Sequence, residues 1–134
     1  MYSYGNLQSN SQLGPETEIE VLSPSRAYVV DAIVDSGACM TCVPQRYIDR
    51  IGAPIYGRRL FRGALGSPEY KMTFFVDIRI GNHEFTGLEV VAIDNRIYAL
   101  IGRDILNQRK ITLHGQQGKW SIDLDEVNED SRFS

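Results

Sequence analysis

The residue that could support chemistry most directly is Asp35, because an apolar run precedes its carboxylate and small residues follow it. Residues 27–34 are apolar and β-branched, which predicts a buried strand. The chain then passes through Asp35, Ser36, Gly37 and Ala38, where Gly37 can adopt backbone angles closed to other residues. A carboxylate held there can act as a general acid or base. Asp, Ser and Gly also form ordinary turns, so this stretch alone predicts only a turn.

A second stretch changes the interpretation of the first. Residues 98–101 are apolar and predict a strand, which meets Gly102, Arg103 and Asp104 before a short helix predicted over residues 103–108. Together the two stretches resemble the retropepsin family of aspartic proteases, including retroviral proteases and the protease domain of ubiquitin-shuttling proteins. That family has an Asp-Ser/Thr-Gly-Ala loop and, later, two apolar residues followed by Gly, Arg or Leu, and Asp or Asn. The resemblance covers residues 18–123.

The resemblance implies a fold and a set of roles. The fold is an all-β, retropepsin-like closed barrel of short strands, the half-domain of pepsin-type enzymes, and Asp35 is the catalytic residue, with no cofactor. The residues expected to support the active-site loop are Ser36, Gly37 and Ala38, and those of the structural second motif are Gly102, Arg103 and Asp104. The residues expected to line a substrate pocket are Cys39, Met40, Cys42, Leu100 and Ile101.

Family members also carry a glycine-bearing β-hairpin, the flap, which closes over bound peptide. Its counterpart here lies between residues 58–62 and the strand predicted at residues 70–80, and consists of Gly63, Ala64, Leu65, Gly66 and Ser67. Two glycines permit tight turning and close approach of a ligand to the backbone. Without the flanking motifs the same residues would predict an ordinary hairpin turn.

A single catalytic acid implies two chains. Two carboxyl groups held close together cannot both ionise, so an aspartic-protease dyad shares one proton between them. Asp77, Asp94 and Asp104 lack the small-residue turn that follows Asp35. A complete dyad therefore requires the same loop from a second subunit related by a two-fold axis, which predicts a homodimer acting on a peptide or protein.

The sequence departs from the retroviral members at one position near the catalytic acid. Those members have an acid four residues past the catalytic Asp that pairs with the Arg of the later motif, whereas this chain has Cys39. Arg103 therefore needs another partner, for which Asp104 and a carboxylate near the C-terminus are the candidates. The dimer surface also has two candidates, which are the polar chain ends and a hairpin predicted over residues 110–123.

Three other kinds of protein compete with this interpretation. The first is a serine hydrolase, whose nucleophile needs a general base, but His83 and His114 fall on predicted hairpins with no sign of convergence. The same two histidines also give no zinc site, because they do not match the cysteines at zinc-finger spacing. Cys39 and Cys42 form a C-x-x-C pair that a thiol-redox protein could use, although Val43 and Pro44 indicate a strand where such a pair needs a helix N-terminus. A non-catalytic peptide-binding dimer of the same fold is the third alternative.

Composition limits the partners and the location. The 134 residues fit one domain, and the net charge of −3 argues against a nucleic-acid surface. No apolar stretch approaches the roughly 20 residues that span a bilayer, and no signal-peptide pattern is visible. Two cysteines are too few for a secreted disulfide scaffold, so we expect a cytoplasmic protein. From the charge and the lack of a long apolar stretch, we expect it to bind neither nucleic acid nor membrane. The expected organisation is a flexible leader at 1–16, the protease domain at 17–123 and a flexible acidic tail at 124–134.

Most of the remaining pattern is strand. Residues 70–80 alternate between apolar and polar side chains, which predicts a half-buried strand. Gly81 and Asn82 predict a turn into a second strand at residues 84–92. Pro44 predicts the start of a short helix that ends near Ile51, before Gly52 and Pro54.

Overall fold

The computed structural model describes residues 1–7, 13–62, 67–94 and 96–123. The all-β prediction is confirmed, because these residues form ten strands and only two short α-helices. The strands are β1 (Tyr2–Gly5), β2 (Gly14–Leu22), β3 (Ala27–Val34), β4 (Cys42–Pro44), β5 (Ile55–Phe61), β6 (Glu69–Ile80), β7 (His83–Ile93), β8 (Ala99–Ile101), β9 (Ile111–His114) and β10 (Lys119–Ile122). The helices are α1 (Gln45–Ile51) and α2 (Arg103–Leu106), and a 3-10 helix at Gly115–Gln117 connects β9 to β10.

Six strands hydrogen-bond into a ring around the core. Their order is β6-β7-β4-β8-β3-β2, and β2 pairs again with β6 to close the ring. Strand β5 extends from β6 on one side, while β1, β10 and β9 extend from β2 on the other. The pairings of β3 with β8 and of β4 with β7 are parallel, whereas the other pairings within the ring are antiparallel.

The core fills this ring with β-branched and aromatic side chains. Val21, Ile78 and Val90 are fully or almost fully buried, as is Trp120 on β10. Removing a side chain of this kind from water contributes about 1.5–3 kcal/mol, so the apolar faces of the strands determine which side of each strand faces inward. In the described part of the chain, no helix is long and apolar enough to cross a membrane.

The alternation predicted for residues 70–80 is realised as β6, but burial follows it only at one end. Phe74, Val76, Ile78 and Ile80 are buried, while Tyr70 and Met72 are exposed although they belong to the same alternating set. The exposed end is the part of β6 that pairs with β5 and projects beyond the ring as the β5–β6 hairpin.

The predicted turn after β6 and the predicted start and end of α1 are also observed. Gly81 has φ +57° and lies in the two-residue turn that joins β6 to β7, with Ile80 paired to His83. Pro44 immediately precedes α1, and Gly52 ends that helix in the left-handed conformation at φ 64°. Both glycines occupy backbone angles that L side chains rarely adopt, which is why the turns fall at these positions.

The N-terminal segment differs from the flexible leader expected for residues 1–16. Tyr2–Gly5 is strand β1, which pairs with both β10 and β2, and β2 already begins at Gly14. The reason is aromatic packing, since the ring of Tyr2 stacks on Trp120 with centroids 4.5 Å apart and Tyr4 also packs against the core. The period-two alternation of Tyr2 and Tyr4 was the available signal. The acidic tail expected at 124–134 lies outside the described residues.

Candidate active site

Asp35 stands at the edge of the ring where two parallel strands end. Strands β3 and β8 run side by side with Val34 opposite Ile101, so the residues that follow them, Asp35 and Gly102, emerge at the same place. The amide of Asp35 donates a hydrogen bond to the carbonyl oxygen of Ile101 at 2.9 Å and continues the strand pairing by one residue. The parallel pairing therefore brings together the two motifs that lie far apart in the sequence.

The turn after β3 holds the carboxylate of Asp35 in a defined position. The amide of Gly37 donates to Oδ1 of Asp35 at 2.9 Å, and the amide of Ala38 donates to the backbone carbonyl oxygen of Asp35 at 3.1 Å. Asp35 is half-buried, whereas Ser36 and Gly37 are exposed. A Cβ atom on Gly37 would lie 3.1 Å from Oδ1, so a glycine keeps this hydrogen bond unobstructed. The carboxylate is thus fixed at the surface at the rim of the core.

The second motif packs directly against the Asp35 turn. A Cβ atom on Gly102 would lie 2.6 Å from the carbonyl carbon of Met40 and 2.9 Å from the amide nitrogen of Thr41. No side chain fits at this contact, because the atoms it would meet belong to the backbone. The amide of Arg103 also donates to the carbonyl oxygen of Ala38 at 2.8 Å. Gly102 is therefore required by close packing.

Thr41 is a residue of this site that sequence reasoning missed. Its side chain is fully buried, and its hydroxyl donates to Oδ1 of Asp104 at 2.7 Å while it accepts the amide of Gly102 at 3.1 Å. The amide of Thr41 donates to the other oxygen of Asp104 at 3.0 Å. A threonine in an otherwise apolar segment was the only local signal, and it did not indicate a partner.

These hydrogen bonds correct the partner expected for Arg103. The carboxylate of Asp104 accepts both donors of Thr41 and also the amide of Ile105 at 2.9 Å. Within the described ranges, Asp104 forms no ion pair with Arg103, whose side chain is exposed. Asp104 therefore connects α2 to the segment that follows the Asp35 turn.

The residues expected in a substrate pocket divide into two groups. Cys39 is exposed and Met40, Cys42 and Leu100 are half-buried near the Asp35 turn. Ile101 is 1% exposed and belongs to the core, because successive residues of β8 point to opposite sides and Leu100 takes the outward side. Ile101 therefore cannot line an open pocket.

The residues expected at the flap are only partly within the described structure. Gly63, Ala64, Leu65 and Gly66 lie outside the described residues, and Ser67 is exposed. The strands on either side are β5 and β6, which pair antiparallel as far as Phe61 and Glu69. The predicted segment therefore connects the two strands of the β5–β6 hairpin.

The two cysteines lack the environment of a redox pair. Burial raises the pKa of the Cys42 thiol to about 11, and the charge of Asp104 acts in the same direction. A thiol must ionise to react as a nucleophile or a metal ligand. Val43 and Pro44 continue β4, as predicted, so no helix begins at the pair to stabilise a thiolate.

The histidines do not support a serine hydrolase. His83 begins β7 next to the turn from β6, and Nε2 of His114 lies 3.2 Å from the hydroxyl of Ser121. Ser121 is 1% exposed and is paired with Thr112 in the β9–β10 hairpin. This contact is internal to the hairpin, because a hydroxyl so deeply buried cannot meet a substrate.

Comparison with known proteins gives one family match. The model of a family described as gag-polyprotein putative aspartyl protease matches residues 27–108, which include both motifs of the site. No curated protein sequence matches the chain.

Solved structures of retroviral-type proteases share the fold. A foamy viral protease–reverse transcriptase in complex with an RNA/DNA hybrid aligns with a TM-score of 0.55 and 14% identity over 72% of this chain, which spans only 12% of that chain. The retroviral protease-like domain of Ddi1 from Leishmania major aligns with a TM-score of 0.53 and 16% identity, over 82% of this chain and 90% of that chain. A retropepsin-like aspartic protease from Rickettsia conorii aligns with a TM-score of 0.50 and 16% identity, over 73% of this chain and 75% of that chain.

Proposed function

Because the chain belongs to the family of gag-polyprotein putative aspartyl proteases, we propose that it is an aspartic endopeptidase whose catalytic dyad combines Asp35 from two identical subunits. One observation carries this proposal above the others. The chain contains a single Asp-Ser/Thr-Gly sequence, and its carboxylate is held at an exposed turn beside the second family motif.

The chemistry of peptide hydrolysis explains why a second subunit is needed. One carboxyl group must take a proton from the attacking water while another gives a proton to the substrate. Two carboxyls held close together share one proton and so supply both roles at once. Among the described residues, Oδ2 of Asp35 accepts no hydrogen bond, whereas Oδ1 accepts the amide of Gly37. Oδ2 is therefore available to the water and to the partner carboxyl.

The surrounding residues would have supporting roles in such a dimer. Ser36 would donate a hydrogen bond across the two-fold axis and fix the two loops relative to each other. Cys39, Met40, Cys42 and Leu100 would contact substrate side chains, and no cofactor takes part. The flap residues would close over the peptide backbone, as the flap does in the family. They are Gly63, Ala64, Leu65, Gly66 and Ser67, which connect β5 to β6.

The test is the loss of activity when Asp35 becomes Asn. Purified protein is incubated with a mixed peptide library, with and without a transition-state mimic such as pepstatin, and the products are identified by mass spectrometry. Asp35→Asn should abolish cleavage while leaving the solution mass unchanged at that of a dimer. Asp31→Asn is the matched control, because Asp31 is an exposed aspartate on the same strand, and it should retain activity.

Three outcomes would contradict the proposal. Retained cleavage by Asp35→Asn would reject the carboxylate mechanism, and a strictly monomeric active protein would reject the shared dyad. Binding of peptides by the wild-type protein without any cleavage would favour the non-catalytic module of the same fold.

A further inference from the structure

The β5–β6 hairpin carries an exposed apolar face that continues the buried face of β6. Phe74, Val76 and the residues that alternate with them toward Ile80 face the core. Tyr70 and Met72 fall on the same side of β6, because side chains along a strand alternate between its two faces. Arg58 pairs with Met72 and Leu60 pairs with Tyr70, and residues paired across antiparallel strands lie on the same face. We call Arg58, Leu60, Tyr70 and Met72 the inner hairpin face.

The apolar side chains of the inner hairpin face are largely exposed. Leu60 is 48% exposed, Tyr70 is 62% exposed and Met72 is 43% exposed, whereas Phe74 one step further along the strand is 8% exposed. Contiguous exposed apolar groups on a soluble protein often mark a binding surface. The same side of the sheet that forms the core thus continues outward as an open surface.

The two neighbouring arginines of β5 are in opposite electrostatic situations. Arg59, on the other face, donates two hydrogen bonds to the carboxylate of Glu89 at 2.6 and 2.7 Å. Arg58 instead lies over the ring of Tyr70, with its guanidinium carbon 4.7 Å from the ring centroid. Among the described residues, no carboxylate lies within 4.0 Å of the Arg58 guanidinium. Arg58 is therefore an exposed cation that lies over an aromatic ring and has no acidic partner in the described part of the chain.

We propose that Arg58 selects peptide substrates that carry an acidic side chain at one fixed position relative to the cleaved bond, with Leu60 and Met72 contacting an adjacent apolar side chain. This inference rests on the proposed protease function, in which the hairpin closes over the peptide. A guanidinium presents two parallel N–H groups that match the two oxygens of a carboxylate. The contact with the Tyr70 ring restricts the Arg58 side chain before the peptide arrives, so less side-chain freedom is lost on binding.

The experiment measures sequence preference in the products of a mixed peptide library. For the wild-type protein we expect Asp and Glu to be enriched about 5-fold over Asn and Gln at one position, the size expected for an ion pair in a partly exposed site. Arg58→Gln should abolish this preference, and Arg58→Lys should retain part of it. Arg58→Glu should replace it with a preference for Lys and Arg. A matched pair of peptides that differ only by Glu and Gln then gives the ratio of kcat/KM directly.

The control variant is the double change Arg59→Gln with Glu89→Gln, which removes the neighbouring cation on the opposite face together with its partner. It should keep the acidic preference. Raising the salt concentration from about 0.05 M to about 0.5 M should weaken the preference of the wild-type protein, because screening reduces interactions between exposed charges.

The result separates this inference from the proposed function. Asp35-dependent cleavage with no acidic preference, or with a preference that Arg58→Gln leaves intact, would overturn the role of Arg58 and leave the protease standing. Absence of any Asp35-dependent cleavage would overturn both.

Discussion

Asp104 accepts hydrogen bonds from both the amide and the hydroxyl of Thr41, at 3.0 and 2.7 Å. The two residues belong to different motifs, since Thr41 follows the Asp35 turn and Asp104 lies in the first turn of α2. The hydroxyl of Thr41 also accepts the amide of Gly102, so one buried side chain connects both motifs. The turn that holds the carboxylate of Asp35 leads directly into the segment that contains Thr41. The position of the carboxylate therefore depends on the connection that Thr41 makes.

The first prediction concerns the buried hydroxyl of Thr41. Thr41→Val keeps the volume of the side chain but removes one hydrogen bond to Oδ1 of Asp104, which keeps the amide of Ile105, and leaves the buried amide of Gly102 unpaired. An unpaired buried polar group costs about 1–3 kcal/mol, and a hydrogen bond to a charged group contributes about 1.5–3 kcal/mol. We expect the free energy of unfolding in urea to fall by about 2–3 kcal/mol. Thr41→Ser keeps the hydroxyl and should lose only about 1 kcal/mol for the buried methyl group. Equal losses for the two variants would contradict the role of the hydroxyl. All measurements use one protein concentration, so that the proposed association of subunits contributes equally to the stability of each variant.

The second prediction concerns the close contact at Gly102. Gly102→Ala places a methyl group 2.6 Å from a carbonyl carbon of the backbone, so the Asp35 turn must move. We expect a loss of about 1–3 kcal/mol in the free energy of unfolding, as for overpacking elsewhere. Gly57→Ala is the control, because a Cβ atom there meets nothing within 4 Å and its φ is not positive, and it should change stability by less than about 0.5 kcal/mol. A harmless Gly102→Ala would show that the contact can relax.

The third prediction concerns stability in acid. The hydrogen bonds from Arg59 lower the pKa of Glu89 in the folded protein. The stabilisation is therefore complete above the unfolded-state pKa of about 4.3 and is lost as the pH falls through the lower folded-state pKa. We expect the urea midpoint of the wild-type protein to fall more steeply between about pH 5 and pH 3 than that of Glu89→Gln. Glu18→Gln, at an exposed glutamate of β2, should follow the wild-type curve, and parallel curves for wild type and Glu89→Gln would count against the ion pair.

The fourth prediction concerns the reactivity of the two thiols. With a pKa of about 11, Cys42 is ionised in only about one molecule in a thousand at pH 8, and it is half-buried. Iodoacetamide should therefore label exposed Cys39 about 100-fold faster than Cys42 in the native protein, as measured by peptide mass spectrometry. In urea the two rates should become similar, and native Cys39→Ser should label very slowly. Comparable native rates at Cys39 and Cys42 would restore the thiol-redox alternative.

Local sequence was sufficient wherever one short segment contained the whole signal. The β-branched run before Asp35 predicted β3 with its observed bounds, and the alternation at residues 70–80 predicted β6. Gly81 and Gly52 predicted where β6 turns and where α1 ends, because both positions need positive φ. The paired Asp-Ser-Gly and Gly-Arg-Asp motifs indicated the family, which the match over residues 27–108 then established.

Tertiary structure decided every feature that depends on a partner far along the chain. Only the parallel pairing of β3 with β8 places Gly102 beside the Asp35 turn, and only that packing gives Thr41 its carboxylate partner and puts Ile101 in the core. Likewise, Arg58 and Arg59 are adjacent in sequence, yet they have different partners. The pairing of β5 with β6 places Arg58 over the ring of Tyr70, and the pairing of β6 with β7 brings the carboxylate of Glu89 to Arg59. The physical reason is that periodicity records which face of a segment avoids water, whereas the identity of a neighbouring strand is fixed only when the ring of strands closes.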